Sequence, residues 1–240
     1  MSLVEVVDVA KHVELPDGSR LHILTDVNMA VGAGEHVAVV GRSGSGKTTL
    51  LNILGLLDTP SSGQVLFAGN NVGSLRKGAL DRARGNGIGY VFQQFNLLTG
   101  LTALENVMMP LSYASGRPFW RRRELASEIL DRVGLSHRLD AFPDRLSGGE
   151  QQRVAIARAL VRKPMMILAD EPTGALDIET GTTVMALLEE VATENGAALI
   201  TITHDPGVAA LAQRSLRLDQ GVLSPVALAV NSGSTGGAHE

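Results

Sequence analysis

The fold is decided by residues 36–48, which read His36-Val37-Ala38-Val39-Val40-Gly41-Arg42-Ser43-Gly44-Ser45-Gly46-Lys47-Thr48. The first five are nearly all apolar, which predicts a β-strand buried on both faces of a sheet. The next eight fit G-x-x-x-x-G-K-[ST], a loop whose backbone N–H groups curl around phosphate oxygens at the start of a helix. That helix is predicted over residues 48–57, with one apolar face formed by Leu50, Leu51, Leu54 and Leu57. This order of strand, loop and helix predicts an α/β fold that binds phosphate groups.

Two residues of the loop have specific predicted roles. Lys47 is expected to reach the β- and γ-phosphates of the ligand, and the Thr48 hydroxyl is expected to bind Mg²⁺. The alternative is a glycine- and serine-rich turn with a solvated lysine. The strand before the loop and the helix after it favour phosphate binding.

Two further apolar strands end in polar side chains. Asp170 and Glu171 follow residues 165–169, and His204 follows residues 198–203. Because ligands of open α/β sheets bind at the carboxyl ends of the strands, these side chains are expected beside the phosphate loop. Asp170 would hold Mg²⁺, Glu171 would polarise the attacking water and His204 would contact the γ-phosphate. Taken alone, the acidic pair is an ordinary strand exit and the histidine an ordinary surface residue.

Gln93 follows a shorter strand-like segment, residues 88–92. A neutral amide can orient water and complete the coordination of Mg²⁺ without adding charge. Any strand can end in glutamine, so this prediction depends on the other three strand ends.

The remaining sequence predicts two additions to a mostly parallel sheet. The first forty residues are rich in β-branched residues and are interrupted by Pro16-Asp17-Gly18, which indicates an antiparallel β-subdomain. Between residues 96 and 153 helical periodicity replaces the strand patterns, which predicts an inserted helical subdomain. Its clearest helix ends at Gly134 and has an apolar face formed by Leu125, Ile129, Leu130 and Val133.

These boundaries give a predicted domain organisation. A single domain covers residues 1–225, and its ATP-binding core is formed by residues 1–95 and 154–225. Residues 226–240 are predicted to be a disordered tail, because the run at 231–237 has no apolar residue to anchor it.

The composition limits the classes of protein that the chain can belong to. It has 240 residues, no cysteine and a formal net charge of −4. These values exclude disulfides and thiolate metal sites, and they give no basic surface for wrapping nucleic acid. No apolar run reaches the roughly 18 residues that span a bilayer, and Glu5 and Asp8 argue against a signal peptide. We therefore expect a soluble cytosolic chain.

A second glycine-rich segment covers residues 146–153, which read Leu-Ser-Gly-Gly-Glu-Gln-Gln-Arg. Ser147 and Glu150 have the spacing of a capping box at the start of a helix. A capped helix that begins with two glycines exposes backbone N–H groups, so this segment is also a possible second anion site.

With this segment the chain resembles the nucleotide-binding subunits of ABC transporters over about residues 1–225. The motifs that carry the resemblance occur in the family's order: Walker A (Gly41 to Thr48), the Q-loop (Gln93), the signature (Leu146 to Gln152), Walker B (Met166 to Glu171), the D-loop (Ala175-Leu176-Asp177) and the switch histidine (His204). The resemblance implies a P-loop NTPase core and a homodimer in which two copies pair head to tail around ATP.

The resemblance also implies roles for further residues. ATP bound at Lys47 of one copy would be closed over by the signature of the other. Phosphate binding would extend to Thr49, and the signature residues acting across the dimer would be Ser147, Gly148, Gly149, Glu150 and Gln151.

One departure from the family concerns the nucleotide base. Members commonly place an aromatic residue near Lys11, and this chain has none there. Val13 offers only apolar contact and His12 a weaker stack, which lowers the expected selectivity for ATP over GTP. The chain also has Ala175 where relatives of its branch often carry asparagine.

Residues 101–107 and 169–174 look most like the branch that serves lipoprotein release, macrolide export and cell-division permeases. Membership would make the partner a separate membrane permease with an extracytoplasmic domain and place this chain on the inner face of the cell membrane. The alternatives are a regulatory subunit of low turnover that gates an envelope enzyme, and an ABC-type ATPase that acts on nucleic acid. Arg121-Arg122-Arg123 fits either a solvated helix start or a docking patch for the permease or anionic lipid.

Overall fold

The computed structural model describes residues 2–113 and 117–226. The strands in this part of the chain are β1 (Ser2–Glu14), β2 (Arg20–Gly32), β3 (His36–Val40), β4 (Ser62–Phe67), β5 (Asn70–Asn71), β6 (Ile88–Val91), β7 (Met166–Asp170), β8 (Ala198–Thr203), β9 (Arg214–Asp219) and β10 (Val222–Pro225). The α-helices are α1 (Lys47–Leu54), α2 (Lys77–Gly87), α3 (Ala103–Met108), α4 (Arg117–Trp120), α5 (Arg122–Arg132), α6 (Gly148–Leu160), α7 (Ile178–Glu194) and α8 (Pro206–Ala210). Short 3-10 helices cover Val72–Ser74, Met109–Tyr113, Ser136–Arg138 and Pro143–Arg145. The predicted tail lies outside the described residues from 227 onward.

The strands form two sheets, and the predicted fold class is confirmed. Four strands build an antiparallel sheet in the order β2-β1-β4-β5. Six strands build the second sheet in the order β10-β9-β3-β8-β7-β6, in which all neighbours are parallel except β10 and β9. Strands β3, β8, β7 and β6 are therefore adjacent, and their carboxyl ends meet along one edge of the sheet.

Strand β7 shows why the middle of this sheet is apolar throughout. Ile167 and Ala169 belong to a core that includes side chains of α5, α6 and α7. Met166 and Leu168 face the other way, into a core shared with α1 and the antiparallel sheet. Because both faces are covered, successive residues are all buried instead of alternating with polar ones.

The predicted end of α1 is wrong. The helix stops at Leu54, Gly55 caps it, and Leu57 is 49% exposed instead of completing the apolar face. Leu56 adopts a left-handed φ of 58°, and the Leu57 N–H donates to the Asn52 carbonyl at 2.8 Å. This closure is the Schellman type of helix end, which takes the chain out of the helical path one residue after the cap.

The inserted region is helical, as predicted. Helix α5 ends at Arg132, and Gly134 follows with a φ of 73°, the left-handed conformation typical of the residue after a helix. Helix α6 runs to Leu160, well past the predicted boundary at 153, so it belongs to both predicted parts. The division into core and helical subdomain stays a prediction.

Candidate functional site

A cleft of about 810 Å³ lies at the sheet edge where β3, β8, β7 and β6 end. It is lined by Leu21, Ile23, Gly41, Arg42, Ser43, Gly44, Gly46, Lys47, Thr48, Thr49, Gln93, Asp170, Glu171 and His204. The cleft therefore brings together the phosphate loop and the side chains predicted from all three other strand ends. A pair of adjacent strands could not bring all these residues together. The order β3-β8-β7-β6 does so, because it places four strand ends at one edge of the sheet.

The phosphate loop is held in place by close packing of its glycines. A Cβ on Gly41 would lie 2.3 Å from the Leu218 carbonyl oxygen, and one on Gly46 would lie 2.8 Å from the Ile23 carbonyl oxygen. Gly46 also has a left-handed φ of 101° at the start of α1. These positions require glycine, and they leave the N-terminus of α1 open toward the cleft.

Lys47 is folded back onto the loop that precedes it. Its Nζ donates to the carbonyl oxygens of Gly41 and Arg42, each at 2.8 Å. The ammonium group is thus kept at the mouth of the loop by two neutral acceptors and has no carboxylate partner among the described residues. An incoming phosphate would offer it a charged acceptor in exchange.

Glu171 lies directly beyond β7 in an unusual backbone conformation. Its φ is 46°, in the left-handed region that non-glycine residues rarely adopt. The carboxylate Oε1 is 2.7 Å from His204 Nδ1, and the Thr203 hydroxyl donates to Oε2 at 3.4 Å. The side chain is only 14% exposed, whereas His204 is 73% exposed. The histidine is therefore the solvent-facing member of a pair with the predicted water-polarising carboxylate.

Asp170 is the last residue of β7, and its environment is unfavourable for a free carboxylate. Burial raises the pKa of Asp170, the neighbouring Glu171 raises it further, and Lys47 lowers it. A bound cation would stabilise an ionised carboxylate that lies beside a second one. Asp170, Thr48 and Gln93 present oxygen atoms in the same cleft. Oxygen ligands are those that Mg²⁺ prefers, so the residues present fit the predicted magnesium site.

A second cleft, of about 400 Å³, lies at the start of α6. Ser147 accepts a hydrogen bond from the Glu150 N–H at 3.3 Å, and the Glu150 carboxylate accepts one from the Ser147 N–H at 2.8 Å, so the structure contains the predicted capping box. The cleft is lined by Ser147, Gly148, Gly149, Arg153, Ala175, Leu176, Asp177 and Thr180. The signature residues and Asp177 are thus near each other, but they line a cleft different from the one that holds Lys47.

Two further signature residues make local contacts. The Glu150 carboxylate pairs with Arg138 at 2.9 Å, and the Gln151 side chain donates to the Leu146 carbonyl at 3.1 Å. Burial of Gly149 against α7 is tight, since a Cβ there would lie 2.6 Å from Thr180 Cγ2. The first two residues of α6, Gly148 and Gly149, therefore carry no side chain, while the Glu150 N–H is capped by Ser147. Backbone N–H groups without a side chain in front of them are what an anion site at a helix start requires.

The sequence missed the apolar wall of the first cleft, Leu21 and Ile23. Val13, the residue predicted to contact the base, pairs with Leu21 across the β1-β2 hairpin and is not part of the described lining. The His12 ring lies 5.9 Å from His22, on the face opposite to Leu21 because neighbouring residues of a strand alternate. Stacking of His12 on a base in this cleft is therefore not supported. The period-two pattern of β2 would have identified the wall, had the hairpin register been known.

A groove of about 860 Å³ separates the parallel sheet from the helical region. Its lining includes Leu57, Tyr90, Phe92, Tyr113, Arg158 and Arg162. Arg158 donates to the carbonyl oxygens of residues 95 and 96, two and three residues after Gln93. The groove thus contacts both the helix that begins with the signature and the segment that follows the Q-loop residue.

The arginine run between α4 and α5 is mostly involved in local contacts. Arg121 pairs with Glu124, and the Arg122 guanidinium lies 4.6 Å from the centre of the Phe119 ring. Trp120 is 83% exposed. These contacts fit the solvated helix start considered above, and nothing in them identifies a docking partner.

The chain is similar in sequence to ATP-binding domains of known transport proteins. The sequence profile of the ABC transporter family matches residues 24–174. The chain is 45% identical over 227 residues to the lipoprotein-releasing system ATP-binding protein LolD of Shewanella frigidimarina, covering 94% of each chain. It is 46% identical over 231 residues to the macrolide export ATP-binding/permease protein MacB of Syntrophobacter fumaroxidans. That match covers 96% of this chain but only 32% of the MacB chain.

Solved structures show the same similarity. The post-hydrolysis dimer of the ATP-binding cassette MJ0796 bound to ADP and Pi has a TM-score of 0.84 and 40% identity, covering 94% of this chain and 99% of the other. A second dimeric structure of MJ0796, described as a bacterial ABC transporter cassette, also has a TM-score of 0.84. Within residues 2–113 and 117–226, no helix is both long and apolar enough to cross a membrane.

Proposed function

The chain belongs to the ABC transporter family as an ATP-binding ATPase domain, and from this premise we propose that two copies pair head to tail, hydrolyse Mg·ATP and drive a separate membrane permease. One observation carries the proposal. The groups that can hold the phosphates of ATP and those of the signature line two different clefts of one chain. A single copy therefore has two half-sites, and a second copy is needed to complete either of them.

Phosphoryl transfer requires positioning and charge neutralisation more than covalent chemistry. We assign phosphate binding to residues 41–49, with Lys47 exchanging its two carbonyl acceptors for the β- and γ-phosphate oxygens. The backbone N–H groups at the start of α1 add a further positive potential there. Thr48, Gln93 and Asp170 would hold Mg²⁺, which when bound supplies positive charge beside the phosphates.

Glu171 and His204 are assigned to the attacking water. The contact of 2.7 Å between them holds the carboxylate in one orientation, and Thr203 supports its second oxygen. In this arrangement Glu171 accepts one hydrogen bond from the water and one from His204 Nδ1. Donation from His204 Nε2 to the γ-phosphate then requires the imidazolium form, in which both ring nitrogens carry a proton.

The partner's Ser147, Gly148 and Gly149 are assigned to the far side of the same γ-phosphate. Helix α6 begins there, so its free N–H groups and the Ser147 hydroxyl can donate to a developing negative charge. Asp177 caps α7 by accepting from the Thr180 N–H at 2.9 Å, which fixes the segment beside the signature cleft. Glu150 and Gln151 are assigned to holding the signature segment in place, through their contacts with Arg138 and the Leu146 carbonyl.

A permease is assigned to the groove between the sheet and the helical region. Names of relatives support a partner of this kind: LolD belongs to a lipoprotein-releasing system, and MacB joins an ATP-binding part to a permease part in one chain. We propose a separate permease with an extracytoplasmic domain, acting in export, lipoprotein release or transmembrane signalling, and a location at the inner face of the membrane. Steady-state ATPase with and without that permease separates a transporter from a regulatory subunit of low turnover.

The Walker A lysine gives the first test. Lys47→Ala should abolish detectable binding of ATP and reduce Mg-dependent hydrolysis at least a hundredfold, because the phosphates lose their charged donor in the cleft. Binding is measured with a fluorescent ATP analogue and hydrolysis by phosphate release. Unchanged affinity in this variant would remove Lys47 from the site, and a wild-type chain without Mg-dependent hydrolysis would contradict the proposed function.

A further inference from the structure

Gln152 is a fully buried polar residue that the assignments above leave unused. It lies one turn into α6, beyond the signature glycines, and has no exposed surface. Its Nε2 donates to the Pro172 carbonyl oxygen at 2.7 Å, and its Oε1 has no hydrogen-bond partner. Burying an amide with one end unpaired is unfavourable, so an apolar residue of the same size would be expected unless the amide has a specific role.

The acceptor of this hydrogen bond, the Pro172 carbonyl oxygen, lies close to Glu171 along the chain. Pro172 directly follows Glu171, the residue with the left-handed backbone, and begins the turn that leads to Asp177. Two backbone hydrogen bonds close that turn, from the Gly174 N–H to the Glu171 carbonyl at 3.0 Å and from the Leu176 N–H to the Thr173 carbonyl at 3.0 Å. A displacement of the Pro172 carbonyl must therefore move the peptide group next to Glu171, the turn, or both.

The donor, Gln152, lies on α6, the helix that begins with the signature. Gln152 is four residues from Gly148 in the same helix, so its Cα moves with the N–H groups that would meet the partner's nucleotide. Within the described residues, its bond to Pro172 is the only hydrogen bond that joins α6 to the segment 171–177. Gly148 also lies close to the Leu176 side chain, an apolar approach that forms no directional bond.

We propose that Gln152 is a positioning residue that couples the signature of a chain to Glu171 of the same chain. This inference rests on the proposed function. Closure of α6 over the partner's ATP pulls on the Pro172 carbonyl through Gln152 and adjusts the turn that carries Glu171. Binding of ATP at the partner's site therefore changes the position of Glu171 in the chain whose signature contacts that ATP. As a result, the two sites of the pair hydrolyse ATP cooperatively.

The first test replaces the amide by an apolar side chain of similar length. In Gln152→Met we expect the affinity of the isolated chain for ATP to stay within twofold, since Gln152 is outside the phosphate cleft. The kcat should fall at least tenfold and the Hill coefficient for ATP should fall from about 2 toward 1, because the two sites of the pair no longer communicate. Gln213→Met is the matched control: its amide contacts the His36 N–H at 3.4 Å, at the opposite end of β3, and should leave every value unchanged.

The second test uses a variant whose donor can be switched on by pH. Gln152→Glu faces the Pro172 carbonyl with an acceptor when ionised and with an O–H donor when protonated, and burial raises the pKa of such a carboxyl. The kcat of this variant relative to wild type should therefore rise at least threefold between about pH 8 and about pH 6. A residue that only fills space gives no such recovery, and this measurement still decides if Gln152→Met does not fold.

The outcomes are distinguishable from failure of the proposed function. A wild-type chain that hydrolyses ATP cooperatively, with both Gln152 variants retaining its kcat and Hill coefficient, overturns the coupling alone. Parallel losses of ATP affinity, melting temperature and kcat without recovery of the Glu variant at low pH also overturn it, since they mark a packing defect. A wild-type chain without Mg-dependent hydrolysis overturns the proposed function instead.

Discussion

At the scale of single residues, contacts within the site hold its charged groups in position but leave part of their charge uncompensated. Lys47 donates to two neutral carbonyl oxygens, and Asp170 lies half-buried beside Glu171, so a positive and a negative region line the same cleft. A ligand that carries both signs, such as a polyphosphate with a bound cation, matches that arrangement. Residue-level chemistry therefore favours Mg·ATP over a simple anion.

The apolar wall of the first cleft gives a prediction at this scale. Val13 is 45% exposed and lies across the hairpin from Leu21, which lines the cleft, so a larger ring at position 13 has room to cover a base. Val13→Tyr should raise the affinity for ATP about 2–10-fold, the gain expected for one aromatic contact of about 0.5–1.5 kcal/mol. Competition between ATP and GTP for a fluorescent analogue measures it.

The neighbouring residue supplies the control. His12→Tyr places the same ring on the other face of β1, against His22, and should leave nucleotide affinity unchanged. If His12→Tyr strengthens binding and Val13→Tyr does not, the base lies on the other face of the hairpin and the description of the cleft is wrong.

At the scale of elements, the start of α6 was predicted correctly from sequence. The Ser147 and Glu150 pair was identified from spacing alone, because a capping box depends on residues within one turn. Helix α3 begins with the same device, formed by Thr102 and Glu105. The structure thus contains two equivalent caps, only one of which is at a predicted anion site.

These two caps can be compared directly. Ser147→Ala and Thr102→Ala each remove one cap and should each cost about 1 kcal/mol, a lowering of the melting temperature of about 2–4 °C. Only Ser147→Ala should also reduce ATPase activity, by at least tenfold, because its hydroxyl is assigned to the partner's γ-phosphate. Thermal melting and phosphate release are measured on both. Equal activity losses in the two variants would mean that Ser147 acts only as a cap.

A buried histidine joins three elements at the end of the sheet opposite to the nucleotide cleft. His36 begins β3 and is 8% exposed; its Nδ1 is 3.1 Å from a Glu189 carboxylate oxygen on α7, and its Nε2 is 3.1 Å from the Thr201 hydroxyl on β8. Burial lowers the pKa of His36 below its ordinary value of 6.5 and raises the pKa of Glu189. Both groups are therefore driven toward their neutral forms.

The pH dependence of stability follows from the sign of the His36 shift. The contribution of neutral His36 to the free energy of unfolding is complete above pH 6.5. It is lost as the pH falls toward the lower pKa of the folded state, because the unfolded chain takes up the proton first. The raised pKa of Glu189 acts in the opposite direction, since its ionised form is the unfavourable one. Denaturant unfolding at a series of pH values should show a decline below pH 6.5 in wild type that His36→Gln removes. An identical decline in the variant would assign it to other groups.

At the scale of the whole molecule, the parts predicted correctly are those encoded locally. The phosphate loop, the strand ends at Asp170 and His204, and the end of α5 at Gly134 each follow from a few adjacent residues. The end of α1 was wrong because a single left-handed residue, Leu56, outweighs an apolar pattern that continues past it.

The parts that could not be predicted depend on strand order and register. Leu21 lines the nucleotide cleft only because β2 crosses the mouth of the phosphate loop, and Gln152 meets Pro172 only because α6 passes behind the end of β7. Neither residue belongs to a pattern along the chain that marks it. Burial and contacts across 20 residues or more of sequence decide such positions, so they are visible only in the folded chain.

The proposed function requires the two clefts to be halves of one site in a head-to-tail pair. Glu171→Gln tests this most directly, because it should keep ATP bound while preventing the hydrolysis that separates the pair. Light scattering after size-exclusion chromatography, with and without Mg·ATP, measures the mass, and nucleotide extraction measures the ATP content. We predict a single-chain mass without nucleotide and twice that mass with two ATP molecules per pair in its presence. A single-chain mass with ATP fully bound would contradict the account.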